Sequence, residues 1–369
     1  MIRRPWLLLS AAATVTVPGL LAILAILGHE HAETRMAMRN AIALDPGLSV
    51  TVDGPATMSQ HALGLRMLAL AAQASQATSY QGTELTSEAA AGGNAITISR
   101  VWHHGGGLTR TETSTAVADV MRSPAGVFGV TGALVALLGK HYFAVYRGTG
   151  YAVGRPAAMV AVYRFDGSIA ARFWLDRRTM VPLRREIFDA SDQPVGEEAF
   201  VGVRFGALTG QPAAANAAEA AAAEPIWVTA ASPGTLLASL AGQGWQLPEA
   251  LPGGLPLYAA ASTGTGAGEV IDLEYSDGLS IVSLFVQRGT LAPDMAGWRS
   301  ATLGGHQVYV SGRSAAWTWG GVVCTMIADA PPRTVAQAVS GLPRKAPAGL
   351  LDRLRRGFDR LARLADPFR

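Results

Sequence analysis

The sequence predicts an α+β protein in which antiparallel strands carry a few covering helices, arranged as two domains. Three observations lead there. The chain has 369 residues, enough for two ordinary domains. Several runs alternate apolar and polar residues with period two, which is typical of strands with one buried face. An alanine-rich stretch at residues 211–228 has little to bury and predicts a linker between the two halves.

The first domain is placed at residues 58–210. Residues 58–77 have one apolar face and few helix breakers, which predicts a helix. Alternating runs around residues 96–103, 160–165 and 181–187 predict strands. Asp166-Gly167, between the strand that ends at Phe165 and the strand that carries Phe173 and Leu175, predicts a hairpin turn. Residues 133–138 predict a second, short helix. The result is a mostly antiparallel sheet with one or two helices on it.

The second domain is placed at residues 229–342. Residues 233–240 predict a helix, five apolar runs between 255 and 328 predict strands, and residues 334–340 predict a closing helix. Asp277-Gly278 suits a turn with positive φ angles. The following strand, Leu279–Val286, is apolar on both faces. We expect one face to pack on a helix and the other on a second sheet or a partner.

The first 28 residues predict a membrane anchor or a signal sequence. Arg3 and Arg4 precede an uncharged apolar run of about 24 residues, close to the length that spans a bilayer as a helix. The flanking charges place the N-terminus in the cytoplasm and the remainder outside. Pro18 leaves a cleaved signal peptide, and hence a secreted or periplasmic protein, as the alternative. Residues 29–57 then form a linker.

The last segment, residues 343–369, is predicted to be a basic amphipathic helix. It carries eight basic and three acidic residues, a net charge of +5, with leucines at three- and four-residue spacing. It suits either an anionic lipid surface or packing on protein. Residues 29–342 are net negative, which argues against nucleic acid as a partner.

Three segments in order resemble the RseB/MucB family, the exported regulators of an envelope-stress sigma factor. They are Tyr80-Gln-Gly-Thr-Glu84, then Phe173-Trp-Leu-Asp176 running into Val181-Pro-Leu-Arg-Arg-Glu186, and finally Glu274-Tyr-Ser-Asp-Gly-Leu-Ser-Ile-Val-Ser-Leu-Phe285. The resemblance spans roughly residues 58–340. The apparent anchor and the basic tail depart from the family pattern.

The resemblance implies an unclosed antiparallel half-barrel with covering helices, similar to lipoprotein carriers of the LolA/LppX type, followed by a smaller α+β domain. It also implies that the second domain binds a membrane-bound anti-sigma factor, and that the first senses a lipid or acylated ligand. The candidate cavity residues are Trp102, Leu134, Leu137, Leu138, Phe173, Leu175, Leu183 and Ile187. The candidate partner-binding residues are Tyr275, Asp277, Gly278 and Phe285.

No catalytic, metal or cofactor site is predicted. His103-His104-Gly-Gly-Gly107 is similar to an esterase oxyanion loop, but the chain lacks the Gly-x-Ser-x-Gly elbow that this chemistry needs, so a hairpin turn is expected. The single cysteine, Cys324, excludes an internal disulfide and is expected to be buried. Asp272 and Glu274 share one strand face, where solvation is expected.

The sequence therefore predicts a non-enzymatic extracytoplasmic regulator of an envelope-stress sigma factor that binds an anti-sigma factor and senses a lipid or lipoprotein. A carrier that moves lipid or lipoprotein across the envelope is the alternative. A hydrolase with an unrecognised site is a third hypothesis.

Overall fold

The computed structural model describes residues 57–90, 93–106, 108–113, 119–122, 128–209, 228–230, 232–245, 247–264, 268–291, 295, 297–311, 313–319 and 321–342. The predicted anchor at 1–28, nearly all of the linkers at 29–57 and 211–228, and the tail at 343–369 lie outside these residues. Within the described part of the chain, no helix combines the length and the apolar character needed to cross a bilayer.

The chain divides into two compact units. The first comprises Met1–Glu224, Ser276–Ile281 and Asp329–Arg333. The second comprises Pro225–Tyr275, Val282–Ala328 and Thr334–Arg369. Two short segments from the second half of the sequence thus belong to the first unit, which periodicity along the chain gives no means of predicting.

The first unit contains one open sheet of nine antiparallel strands with the order β4-β3-β2-β1-β9-β8-β7-β6-β5. Its elements are α1 (Met58–Ala77), β1 (Tyr80–Ala90), β2 (Gly93–His104), β3 (Leu108–Thr113), β4 (Asp119–Arg122), α2 (Gly132–His141), β5 (Phe143–Ala152), β6 (Arg155–Tyr163), β7 (Ile169–Asp176), β8 (Pro182–Phe188) and β9 (Pro194–Phe205). The end strands β4 and β5 are not paired with each other, so the sheet is unclosed.

Helix α1 begins at a capping box and lies directly on the edge strand β5. Thr57 accepts a hydrogen bond from the Gln60 backbone N–H, and the Gln60 side chain accepts one from the Thr57 N–H. The His61 ring accepts a hydrogen bond from the Ala144 N–H at 3.1 Å. Gly64 allows the close approach, because a Cβ there would lie 2.6 Å from the Ala144 carbonyl carbon. The helix thereby covers an edge that would otherwise expose unpaired backbone groups.

The second unit contains a sheet with the order β10-β12-β13-β14-β18-β17-β16-β15, and β11 pairs with β12. Its elements are β10 (Val228–Thr229), α3 (Pro233–Gly242), β11 (Ala250–Leu251), β12 (Leu255–Thr263), β13 (Val270–Ser276), β14 (Ile281–Arg288), β15 (Arg299–Leu303), β16 (His306–Ser311), β17 (Ser314–Trp319), β18 (Val322–Asp329) and α4 (Pro332–Ser340). The core includes residues from α3, α4 and one face of the sheet.

The strand predicted over Leu279–Val286 begins two residues later, at Ile281. Leu279 and Ser280 are held in a turn, because the Asp277 carboxylate accepts hydrogen bonds from both of their backbone N–H groups. Beyond the turn, Val282, Leu284 and Val286 are buried in the second core, while alternate residues are half-buried on the other face.

The predicted fold class is confirmed: two antiparallel sheets, neither closed into a barrel, with helices packed on them. The hairpin at Asp166-Gly167 is also confirmed. Gly167 has φ +89°, and Asp166 accepts a hydrogen bond from the Ser168 N–H.

Candidate functional site

The residues predicted to line a lipid cavity are mostly buried in the first unit. Two of them, Leu137 and Ile187, are half-buried. The others are less than a tenth exposed: Trp102, Leu134, Leu138, Phe173, Leu175 and Leu183. Four belong to one contiguous core together with residues of α1, namely Leu138, Phe173, Leu175 and Leu183.

Strand register places Trp102 on the opposite face of the sheet from Phe173. Neighbouring residues of a strand point to opposite faces, and His103 points toward α1, where its ring meets the backbone of Ser75 and Gln76. Phe173 pairs with Arg185, Arg185 with Glu198, Glu198 with Thr86, and Thr86 with Thr97 on β2. Thr97 and His103 are an even number of residues apart on β2, so their side chains point to the same face. Phe173 therefore faces α1 and Trp102 faces away. The lipid-binding role of these residues stays a prediction.

A buried arginine, Arg185, lies on the same face, paired across strands with Phe173. Its Nη1 is 2.9 Å from Asp329 Oδ2 and 3.4 Å from Glu198 Oε2. The guanidinium also donates hydrogen bonds to two backbone carbonyls, of Phe128 at 3.3 Å and of Leu279 at 3.0 Å. All five residues belong to the first unit.

These contacts explain how a charge is tolerated among apolar side chains. Arg185 is 5 % exposed, and a charge so far from water is stable only if it is paired and hydrogen-bonded. Planar guanidinium suits the task because it presents five donors in a fixed fork. We call Arg185 and its four partners, Phe128, Glu198, Leu279 and Asp329, the Arg185 centre.

The turn at Asp277-Gly278 packs on helix α2. Tyr142, just after α2, donates a hydrogen bond to Asp277 Oδ2 at 2.6 Å. Burial, together with the Asp277 charge, raises the pKa of the Tyr142 hydroxyl well above its usual value. Gly278 has φ +98°, and a Cβ there would lie 2.3 Å from the Leu138 backbone nitrogen. Only glycine meets both conditions.

The four residues predicted to bind a partner are therefore divided between two environments. Asp277 and Gly278 lie in the first unit, against α2. Tyr275 is fully buried in the second unit, where its hydroxyl donates a hydrogen bond to the Pro248 carbonyl at 2.8 Å. Phe285 is half-buried on β14. Whether a partner contacts any of them stays a prediction.

Part of the second segment that resembles RseB/MucB is a turn centred on Asp176. Burial raises the pKa of this carboxyl, but hydrogen bonds from Arg155 and from the Thr179 and Arg178 N–H groups outweigh it and hold the pKa below its usual value. Arg155 Nε lies 2.5 Å from Asp176 Oδ2. Met180, in the same turn, has φ +64°. This part of the motif closes the β7–β8 hairpin.

The second unit holds a carboxyl pair where the sequence predicts only solvated side chains. Asp272 and Glu274 are on the same face of β13. Asp272 Oδ1 is buried without a hydrogen-bond partner. Burial and then the Glu274 charge raise the pKa of Asp272 to about 7. Tyr258 hydrogen-bonds Glu274, and its own pKa is raised by burial and by that carboxylate. Alternation along a strand indicates the shared face but not its burial.

The histidine–glycine segment and the single cysteine have structural roles. His103 and His104 end β2, and Gly105 and Gly106 form the turn to β3. The His103 ring is buried, and its Nδ1 lies 2.8 Å from the Thr109 hydroxyl oxygen, within hydrogen-bond distance. Cys324 is buried, and burial raises the pKa of its thiol to about 12. In the described residues, no group of three or more histidine, cysteine or acidic side chains is placed to hold a metal ion.

Comparison with known proteins gives similarity at the level of structure alone. No protein-family model and no curated protein matches the chain. A crystal structure of MucB is 21% identical over 78% of this chain and 98% of its own, with a TM-score of 0.47. The complex of Pseudomonas aeruginosa MucA and MucB is 19% identical over 74% and 96%, with a TM-score of 0.40. A LolA superfamily protein from Nitrosomonas europaea is 7% identical over 39% and 94%, with a TM-score of 0.19.

The sequence resemblance to RseB/MucB is confirmed to this extent: MucB is among the solved structures to which the chain is similar. Identities below 25% and TM-scores below 0.5 say nothing about ligand, partner or mechanism here. Function has to be inferred from the residues of this chain.

Proposed function

We propose that the protein is a non-enzymatic, extracytoplasmic regulator, held at the cell membrane, that binds an anti-sigma factor and responds to a lipid or acylated ligand. The observation that carries the proposal is the contact between two of the segments that resemble the RseB/MucB family. Arg185 belongs to the second segment, and it donates a hydrogen bond to the carbonyl of Leu279 in the third. Two residues that are 94 positions apart in sequence thus join the two segments into one structural feature.

Helix α2 and the Ser276–Ile281 turn also suggest a physical route from ligand to partner. Phe173, Leu183 and Leu138, three of the candidate cavity residues, are tightly packed in the first core. An acyl chain would enter by separating α2 from the sheet, gaining about 0.8 kcal/mol per buried CH₂. Movement of α2 would disturb the Leu138–Gly278 and Tyr142–Asp277 contacts. The Ser276–Ile281 turn is therefore the element that would respond to a ligand.

The partner is expected to be an anti-sigma factor with an extracytoplasmic segment. In the comparison, MucB is the protein that forms a complex, and its partner is MucA. The likeness in sequence motifs is what extends this partner class to the present chain. A carrier of lipid or lipoprotein is the alternative, and it needs no protein partner of this kind.

The test is a binding measurement with the full chain reconstituted in lipid nanodiscs and the extracytoplasmic segment of an anti-sigma factor from the same organism. We expect saturable binding that weakens when a lysophospholipid or lipopolysaccharide is added. The Tyr142→Phe variant, which loses the bond to Asp277, is expected to change the lipid concentration at which release occurs. Tyr309→Phe, on an exposed side chain of the second unit, is the matched control.

Two results would count against the regulator. A chain that binds no anti-sigma segment but co-purifies with lipid in native mass spectrometry supports the carrier instead. A chain that binds the segment equally well with and without every lipid tested refutes the sensing part while leaving partner binding intact.

A further inference from the structure

The helical side of the first unit is cationic and carries exposed apolar side chains. The described segments 57–83 and 128–165, which form α1, α2, β5 and β6, contain no aspartate or glutamate. They contain five basic residues: Arg66, Lys140, Arg147, Arg155 and Arg164. Among the described residues of the first unit, the exposed large hydrophobic side chains all lie in these segments: Met58, Leu63, Leu70, Tyr151 and Phe165.

The centre of this surface is one stripe along α1. Leu63, Arg66 and Leu70 follow one another at three- and four-residue spacing, so they share a face of the helix. That face points away from the core, which takes Gly64, Leu68, Ala71 and Ala72 from the other side. Leu63 is 46% exposed and Leu70 is 43% exposed.

Helix α2, which packs on α1, carries a second exposed cation. Gly139 approaches α1 so closely that a Cβ would lie 2.9 Å from Leu65 Cδ1. Lys140, the next residue, is exposed. Of the other cations, Arg155 is paired with Asp176 and Arg147 is hydrogen-bonded to the Tyr163 hydroxyl. The first acids after the two segments are Glu84, which is buried, and Asp166, which lies beside Phe165 on the β6–β7 turn.

We infer that the Leu63–Arg66–Leu70 stripe and Lys140 dock the first unit on an anionic lipid bilayer. Exposed leucines beside a cation suit a membrane interface, because the apolar side chains can enter the acyl region while the cation meets anionic headgroups. A protein partner would need acidic side chains to match this surface, whereas an anionic bilayer supplies both negatively charged headgroups and an apolar acyl region. The predicted anchor keeps the surface within reach, because residues 29–57 span at most about 100 Å when extended.

Docking on the membrane does not involve the proposed anti-sigma partner, so the experiment below contains no such partner. Each lysine or arginine near an anionic surface contributes about a fivefold change in the binding equilibrium. Replacing Arg66 and Lys140 by glutamine is therefore expected to lower the ratio of docked to undocked chains by about 25-fold.

The experiment uses the full chain in nanodiscs of phosphatidylcholine, with or without about 30% phosphatidylglycerol to supply the anionic surface. A bimane label is placed at Leu63→Cys, and spin-labelled lipids report its contact with the acyl region. Cys324 is buried and stays in place. Ser191→Cys, in an exposed turn of the same unit between Asp189 and Asp192, carries the control label.

We expect quenching at position 63 in anionic discs, loss of most of it in neutral discs, and the same loss in the Arg66→Gln/Lys140→Gln variant. The label at position 191 stays unquenched. Equal quenching in both lipids, quenching that survives the double replacement, or none at position 63 would each overturn the proposal. Shielding of position 63 only in discs that hold two chains would also overturn it, in favour of a second copy as the occupant. Both replaced side chains are exposed, so unchanged thermal unfolding verifies that the variant is folded.

Discussion

Asp272→Asn is expected to stabilise the second unit at neutral pH and to leave it unchanged in acid. The Asp272 carboxyl has a buried Oδ1 without a hydrogen-bond partner and faces a second carboxyl, Glu274. Its pKa rises from 3.8 to about 7 on folding. The folded state therefore binds the proton more tightly than the unfolded state, and raising the pH works against folding.

The magnitude follows from the two pKa values. A shift from 3.8 to about 7 corresponds to roughly 4 kcal/mol at about 1.4 kcal/mol per pH unit. The side chain is not wholly removed from water, so we expect about 2–4 kcal/mol. The penalty is absent below pH 3.8, grows as the pH rises toward 7 and is complete above it. Asparagine keeps the shape and removes the charge.

The assay is urea unfolding of the full chain, with its variants, in detergent at a series of pH values between about 4 and 8, following the transition of the second unit. Trp245 and Trp317 are buried in its core and report that transition by fluorescence. Glu249→Gln, an exposed acid of the same unit, is the matched control and is expected to leave the pH profile unchanged.

A difference between Asp272→Asn and the wild type that does not vary with pH would refute the reasoning. So would a variant less stable than the wild type at pH 8, since that result requires an ionised Asp272 that is favourably paired.

Three further predictions concern the first unit. Arg185→Met is expected to destabilise it by about 3–5 kcal/mol, because the buried carboxylate of Glu198 and the half-buried carboxylate of Asp329 lose their cation. Exposed Arg178→Met should change the urea midpoint little, and equal effects would contradict the Arg185 centre. Gly278→Ala should cost at least about 2 kcal/mol, from its positive φ and the clash with the α2 backbone, in thermal unfolding. Gly154→Ala, at φ +68° with open space around it, should cost about 1 kcal/mol, and a cost as large as that of Gly278→Ala would remove the steric part of the argument. Tyr142→Phe should cost about 1.5–3 kcal/mol in urea unfolding, because it removes a hydrogen bond to a carboxylate; a neutral outcome would show that Asp277 is satisfied without it.

The fold class could be predicted because its signals are local. The alternation around Trp102 and Phe173 identifies strands, and Asp166-Gly167 identifies a turn, since side-chain direction and φ preference are properties of a few neighbouring residues. The same signals do not tell which face of a sheet a strand presents. A shift of one residue turns a side chain to the other side, which is why Trp102 and Phe173 are grouped by sequence and separated by the structure.

The candidate site was only partly predictable for a related reason. Leu138, Phe173, Leu175 and Leu183 were identified as one apolar group, and the structure brings them into one core. The sequence presents Arg185 only as part of a segment that resembles the family, because nothing in the neighbouring residues indicates that this arginine is buried. Its burial depends on partners at positions 128, 198, 279 and 329.

By itself the sequence determined that this is an α+β chain with two sheets, an apolar N-terminal run and segments ordered as in the RseB/MucB family. Each of these features follows from the periodicity, the composition or the order of residues along the chain. Only the tertiary structure decided that the Asp277-Gly278 turn joins the first unit, that Arg185 links two of the segments that resemble the family, and that one oxygen of the Asp272 carboxyl is buried without a hydrogen-bond partner. Those outcomes depend on which distant residues meet, and on how much water remains between them.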